Sequence, residues 1–168
     1  MTGRSHRVLA GFTLAESLLA TVILLIAITA ITLPFAAGAR AEQADARMCL
    51  AVSLAQEMME EILAKPFADP QGATEVGPDA GETRRARFDN VDDYHGYYEG
   101  SRQIADATGA LLTTPIATGL TRQVTCEYVY VSGQDTSQPA TFVRVTVTVA
   151  HNGTPVVTLT RLVYQMPS

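Results

Sequence analysis

The chain has little positive charge to spare. Twelve Lys and Arg stand against 17 Asp and Glu, a formal net charge of −5 over 168 residues. That balance lacks the basic footprint that phosphate backbones attract, so direct nucleic-acid binding is disfavoured. Cysteine is scarce too. Cys49 and Cys126, the two in the chain, are too far apart in sequence for a zinc cluster or a CxxC redox pair. Catalytic constellations are also missing. His95 has no Ser or Cys nucleophile at a readable spacing, His151 falls in a turn, and His6 stands near the N-terminus, ahead of the long apolar run. No set of residues supports acid–base, nucleophilic or metal catalysis, so the chain is expected not to be an enzyme. The last absence is positional. From Ser17 to Ala39 there is no charged residue, a run of 23. At about 1.5 Å per residue, a helix of that length crosses a hydrocarbon layer of roughly 30 Å. Length and this block together suggest one domain plus an appendage.

Two arginines, Arg4 and Arg7, precede the apolar run. Positive charge in front of such a run holds that end in the cytoplasm and sends the rest of the chain across the membrane. Three readings compete for the segment. A cleaved secretory signal has small residues for cleavage in "AGARA", 37–41, but the apolar core exceeds the usual length of about 7–15 residues. A plain signal anchor explains the length and the arginines, yet gives Glu16, at the front of the run, no role beyond snorkelling to the membrane edge. The third reading rests on the motif Gly11-Phe12-Thr13-Leu14-Ala15-Glu16.

That motif resembles the prepilin signal G-F-T-L-x-E of type IV pilins and type II secretion pseudopilins, without departure over its six positions. The basic leader and the following apolar helix are in place as well. The resemblance implies cleavage between Gly11 and Phe12 by a membrane prepilin peptidase, which also N-methylates Phe12. Removing residues 1–11 would leave ten Lys and Arg against 17 acids, a net of −7. In the family, the carboxylate at the position of Glu16 neutralises the amino terminus of a neighbouring subunit during filament assembly. Physically this is reasonable. A lone carboxylate in hydrocarbon costs several kcal/mol, and a cation in the same low-dielectric layer offsets that cost.

The apolar segment should continue as a helix beyond the membrane. Pro34 removes a backbone hydrogen bond and Gly38 adds a second weak point, so a break or kink is expected there. From residue 40 the pattern becomes amphipathic. Met48, Ala51, Ala55, Met58 and Ile62 recur at helical spacing, with Leu54 and Met59 beside them. Lys65 suits the negative end of the helix and Pro66 closes it. The segment "LAQEMMEEIL" resembles the matching part of minor pilins and of minor pseudopilins of the I class. Cys49 falls on the polar side of this wheel, which argues against a bridge to Cys126.

Residues 66–119 read as a variable loop region, opened by Pro66, Pro70, Pro78, Gly72, Gly77 and Gly81. Within it, "RFDNVDDYHGYYEG" clusters Asp89, Asp92 and Asp93 with tyrosines and His95. Calcium is one reading, because major pseudopilins carry a calcium site. The D-x-x-D-D spacing lacks the alternating ligands of an EF-hand loop, however. The other reading is a turn whose Asp and Asn side chains bond local amides while the tyrosines pack on a sheet. The turn is the preferred reading, and no cofactor is assigned. The "DDYHG" block also resembles one found in a group of prepilin-type proteins, without an attached role.

Residues 120–168 alternate as strands. Leu120, Val124, Cys126, Tyr128 and Tyr130 share a face in the first. Val143, Val145, Val147 and Val149 do so in the second, and Val156–Tyr164 form the third. Between the last two, a three-residue loop at His151–Gly153 would pair Val147 with Val157 and Val145 with Leu159. A two-residue Asn152-Gly153 turn would set valines against threonines, so the longer loop is expected.

The expected fold is α+β and pilin-like: a long N-terminal helix, 12–39 in the membrane or filament core and 40–65 amphipathic, packed on a small antiparallel sheet. The resemblance implies a minor pilin or pseudopilin, a structural subunit of a type IV pilus-like or type II secretion filament. Its implied partners are the prepilin peptidase, other pilin or pseudopilin subunits and an inner-membrane assembly platform. The implied location is the inner membrane, single-pass, with the C-terminal domain outside the cytoplasm. The alternative is a membrane-anchored binding domain that never polymerises.

Overall fold

The structure, a computed structural model, describes residues 12–72, 75–135 and 140–164. It divides into two units, Met1–Gln43 and Ala44–Ser168. Helix α1 spans Leu14–Leu63. Thr13 caps it, its Oγ1 accepting the Glu16 N–H at 3.3 Å. Thr13 followed by Glu16 three positions on is the capping-box spacing.

In the first unit the apolar side chains of α1 are exposed all round, among them Leu18, Leu19, Val22, Ile23, Leu25 and Ile26. The hydroxyls in this stretch are satisfied within the helix. Thr21 donates to the Leu18 carbonyl at 2.8 Å, Thr29 to Ile26 at 2.9 Å and Thr32 to Ile28 at 3.0 Å. Hydrocarbon offers no partner to a polar group, so this internal pairing is what a membrane segment requires. The helix is continuous through Pro34 and Gly38, contrary to the expected break. Proline deprives only the Ala30 carbonyl of its N–H, and the turns on either side still hold.

In the second unit α1 buries Ala51, Leu54, Ala55, Met58, Met59 and Ile62. These pack on Leu120, Val124, Cys126, Val143, Val145, Val147 and Val149. Each fully buried aliphatic side chain contributes roughly 1.5–3 kcal/mol before chain entropy is subtracted. Met48, expected in the stripe, is 48% exposed, and Leu50 lies against the core edge instead. The helix ends at Leu63, before Lys65, whose Nζ donates to the Phe88 carbonyl. Both cysteines are free thiols, Cys49 exposed and Cys126 buried.

The sheet is an antiparallel meander in the order β1-β2-β3-β4: Tyr98–Glu99, Leu120–Val129, Phe142–His151 and Thr154–Tyr164. The expected α+β arrangement, a long N-terminal helix on a small antiparallel sheet, is therefore present. Strand β1 is short and was not specified by the alternation of apolar residues. Tyr130 lies beyond the end of β2 and is partly exposed. The face away from α1 is polar, with Thr146 Oγ1 3.3 Å from Thr160 Oγ1 and Thr148 Oγ1 3.4 Å from Thr158 Oγ1 across β3 and β4.

The β3–β4 register differs from expectation. Asn152 and Gly153 form a two-residue turn with φ of 49° and 81°, and His151 faces Thr154. Both positive φ values suit the tight hairpin turn whose twist matches that of the strands. A bulge then shifts the pairing from Ala150–Pro155 to Val149–Val157, leaving Val156 as the extra residue. Val147 consequently faces Leu159. The bulge, rather than a longer loop, sets Val149, Val147 and Val143 against Val157, Leu159 and Val163, while Val145 faces Arg161 and not the expected Leu159.

Candidate functional site

At the start of α1, Phe12 and Glu16 are exposed. Among the described residues, the Glu16 carboxylate has no hydrogen-bond or ion-pair partner, whereas its backbone N–H is held by Thr13. Gly11 and the rest of the leader lie outside the described residues. Phe12, Glu16, Pro34 and Gly38 all fall in the first unit, far in sequence from the loop carboxylates.

The "DDYHG" block ties the loop to its surroundings residue by residue. Asp92, on a short 3-10 turn of Asp92–Tyr94, accepts the Tyr128 hydroxyl from β2. Burial pushes its carboxyl above the ordinary range. Asp93 Oδ2 accepts the Asp89 and Asn90 N–H groups at 2.7 and 3.0 Å, and Asn90 Oδ1 accepts the Asp93 N–H at 3.0 Å. Tyr94 donates to Glu61 Oε1 of α1 at 2.7 Å. His95 Nδ1 lies 2.7 Å from the Cys126 carbonyl and 3.1 Å from its N–H, so either tautomer finds a partner on β2. Gly96 donates to the Val124 carbonyl at 3.1 Å. Phe88, Tyr94 and Tyr97 pack edge to face, with centroids 4.9–6.4 Å apart. This is the expected turn, with local amides bonded by Asp and Asn. Tyr98, however, is 58% exposed and does not pack on the sheet.

Of the three candidate calcium ligands, Asp92 turns away to Tyr128. Glu82, which sequence spacing did not single out, joins Asp89 and Asp93, and one carboxylate oxygen from each lies within 4.8 Å of the others. The loop folds back over seven residues to bring Glu82 to the pair, and no local motif encodes that return.

A second polar cluster lies under the loop. Arg122 on β2 has no solvent exposure. Its Nε donates to Glu99 Oε2 at 2.7 Å, its Nη1 to the Leu54 carbonyl of α1 at 3.0 Å and its Nη2 to the Ala105 carbonyl at 2.8 Å. Glu99 also accepts the Tyr97 hydroxyl at 2.8 Å and lies 3.5 Å from Arg85 Nη1. Arg85 pairs in turn with Glu61, its Nε donating to Oε1 at 2.8 Å. Burial pushes the Glu61 carboxyl up, but the hydrogen bonds from Arg85 and Tyr94 outweigh it and hold the group below its usual value. Burial and the Glu99 bond push the Tyr97 phenol up to about 12. The chain Arg122–Glu99–Arg85–Glu61 thus alternates in sign and joins sheet, loop and helix. A signal for it was present in the sequence: position 122 falls in the inward phase of its strand, where the apolar stripe skips from Leu120 to Val124.

No protein-family model, curated protein or solved structure matches the chain.

Proposed function

We propose that the chain is a minor pilin or pseudopilin, a structural subunit of a type IV pilus-like or type II secretion filament. The observation that carries this reading is the sequence motif Gly11–Glu16, whose described part, Phe12–Glu16, stands at the head of α1. Among the described residues α1 is the helix long and apolar enough to cross a membrane, and its C-terminal part carries the sheet. The arrangement is consistent with a pilin-like fold. The exposed apolar surface of residues 14–35 needs either lipid or other helices around it. Before assembly, α1 anchors the subunit in the cytoplasmic membrane with its sheet domain outside. After cleavage and methylation at Phe12, the same surface packs among neighbouring helices in the fibre. Glu16 then receives the amino terminus of an adjacent subunit, and the prepilin peptidase and the assembly platform are the implied partners.

One observation favours the rival, a membrane-anchored domain that never polymerises. Thr13 and Glu16 have capping-box spacing, which gives this part of the motif a local role in starting the helix. Glu16→Gln separates the two readings, because glutamine also serves at that capping position but carries no charge. The filament reading expects Glu16→Gln to be processed normally and to drop out of fibres by at least tenfold, measured by immunoblot of sheared filaments. Assembly at the parental level would leave the carboxylate with its capping role alone. Mass analysis of the membrane form should find N-methyl-Phe12 at the amino terminus. An intact Met1 in cells with an active prepilin peptidase supports the plain anchor.

A further inference from the structure

We propose that the free edge of β4 docks an extended segment of a different polypeptide, which joins the sheet as a further antiparallel strand and sets a carboxylate opposite Arg161. The backbone pairing shows which groups are open. One residue past β3, the Asn152 N–H donates to the Gly119 carbonyl at 2.9 Å. Bonding alternates along an antiparallel strand, so the even-numbered residues of β3 bond to β2 and the odd-numbered ones to β4. His151, facing Thr154 across the two-residue turn, is the first of the pairs bonded to β4. Beyond the bulge, Val149, Val147, Val145 and Val143 hold Val157, Leu159, Arg161 and Val163. The N–H and C=O groups of Thr158, Thr160, Leu162 and Tyr164 therefore point away from β3, and the described residues supply no strand to meet them.

The two edges of the sheet differ in their cover. On the far side of β2, Glu99 pairs with Arg122, and the Val124 N–H donates to the Tyr97 carbonyl at 3.0 Å. The Gly96 N–H donates to the Val124 carbonyl at 3.1 Å, and His95 Nδ1 lies 3.1 Å from the Cys126 nitrogen. β4 has no such cover. None of its residues is buried, whereas β3 buries Val143, Val145, Val147 and Val149. Val157, Leu159 and Val163 lie against the core yet stay half-buried, and Leu162 and Tyr164 are exposed on the outer face. A strand added beside β4 covers both sets, because its own side chains alternate between the same two faces.

Arg161 selects the partner. It is exposed, in the inward phase of β4 between Leu159 and Val163. Its Nη1 donates to the adjacent Thr160 carbonyl at 3.2 Å, and it forms no ion pair among the described residues. An inward-pointing charge on an edge strand discourages indiscriminate pairing and rewards a partner that neutralises it. A second copy of β4, paired through all four open residues with Thr158 on Tyr164 and Thr160 on Leu162, would set Arg161 against Arg161. The edge therefore suits a different chain, with an acid opposite Arg161 and apolar residues two positions to either side, against Leu159 and Val163. β4 lies wholly in the second unit, so this docking does not depend on filament assembly.

The test uses the full chain in detergent micelles and a fluorescein-labelled peptide, Thr-Val-Ile-Glu-Thr-Val-Thr, built to lie antiparallel to residues 158–164. Fluorescence anisotropy should show saturable binding, and the same peptide with Lys in place of Glu should bind at least about fivefold more weakly. Arg161→Glu should reverse that preference. Arg161 is exposed, so this variant keeps the fold and carries the test by itself. Thr160→Pro removes an open N–H without breaking a bond to β3, and should abolish binding while circular dichroism stays parental. Amide exchange gives a separate readout. The amides of Thr158, Thr160 and Leu162 should exchange fast in the free chain and slowly with peptide, whereas those of Leu159 and Arg161 should be slow in both. Absence of peptide binding, equal affinity for the two peptides, or binding that survives Thr160→Pro overturns the proposal. So does self-association that Thr160→Pro abolishes, since the occupant would then be a second copy.

Discussion

Arg122 shows at the level of one residue how this fold manages charge. Its guanidinium has no access to water and meets a carboxylate and two backbone carbonyls. Removing one member of such a group leaves the other buried and uncompensated, at a cost of about 3–5 kcal/mol. Arg122→Met is expected to lower unfolding free energy by about that amount in urea titration. Combining it with Glu99→Gln should cost less than the two single losses added, and strict additivity would refute the coupling. The titrating groups set limits at both ends of the pH scale. Glu61 is held below its free value of 4.5, so its contribution is present above that value and disappears as pH falls through the folded one. Asp92, raised by burial, acts in the opposite sense and blunts the acid limb. Burial raises Tyr97 and Cys126 to about 12 and raises Tyr94 and Tyr128 as well. For these groups stability is full below the unfolded pKa and is lost as pH rises through the folded one. Stability against urea should therefore decline from about pH 9–10 upward. A flat profile to pH 12 would contradict the buried placement of these phenols and of the Cys126 thiol.

At the level of elements, the hairpin of β3 and β4 depends on a turn and a bulge together. Gly153 has φ of 81°, with no heavy atom within 4 Å of a built Cβ, so Gly153→Ala carries only the backbone penalty, about 1 kcal/mol. Gly119 has φ of 82°, and there an added Cβ would meet Asn152 Oδ1 at 2.6 Å and His151 at 3.1 Å. Its carbonyl also accepts the Asn152 N–H at 2.9 Å. Gly119→Ala should therefore cost more than Gly153→Ala, a ranking that thermal unfolding of the pair can check. The strands themselves were legible, because valine at alternate positions from 143 to 149 marks one buried face. Their register was not. Alternation records which face a residue occupies, and a two-residue turn plus a bulge gives the same facing as other combinations would. The amphipathic half of α1 was legible for the same reason. Met48 lies one turn before the buried run begins at Ala51, where periodicity still matches but the sheet no longer covers the helix.

Considered whole, the chain separates an apolar helical unit from a unit with its own core. Ala44–Ser168 contains the six buried α1 side chains, all four strands and the charge chain from Arg122 to Glu61. A fragment starting at Ala44 is expected to be soluble without detergent and to unfold in one cooperative step, by circular dichroism and calorimetry. The full chain should require detergent or lipid. A fragment without a cooperative transition would mean that residues before 44 complete the core. The membrane-length run, the Gly11–Glu16 motif, the helix stripe and the valine strands are local patterns, written in spacing along the chain, and the sequence alone determined them. The convergence of Glu82 with Asp89 and Asp93, the burial of Arg122 against Glu99 and the turning of Asp92 to Tyr128 were decided only by the tertiary structure. Each joins residues whose separation along the chain carries no period, and folding brings them together because their backbones are fixed by the helix and the sheet on either side.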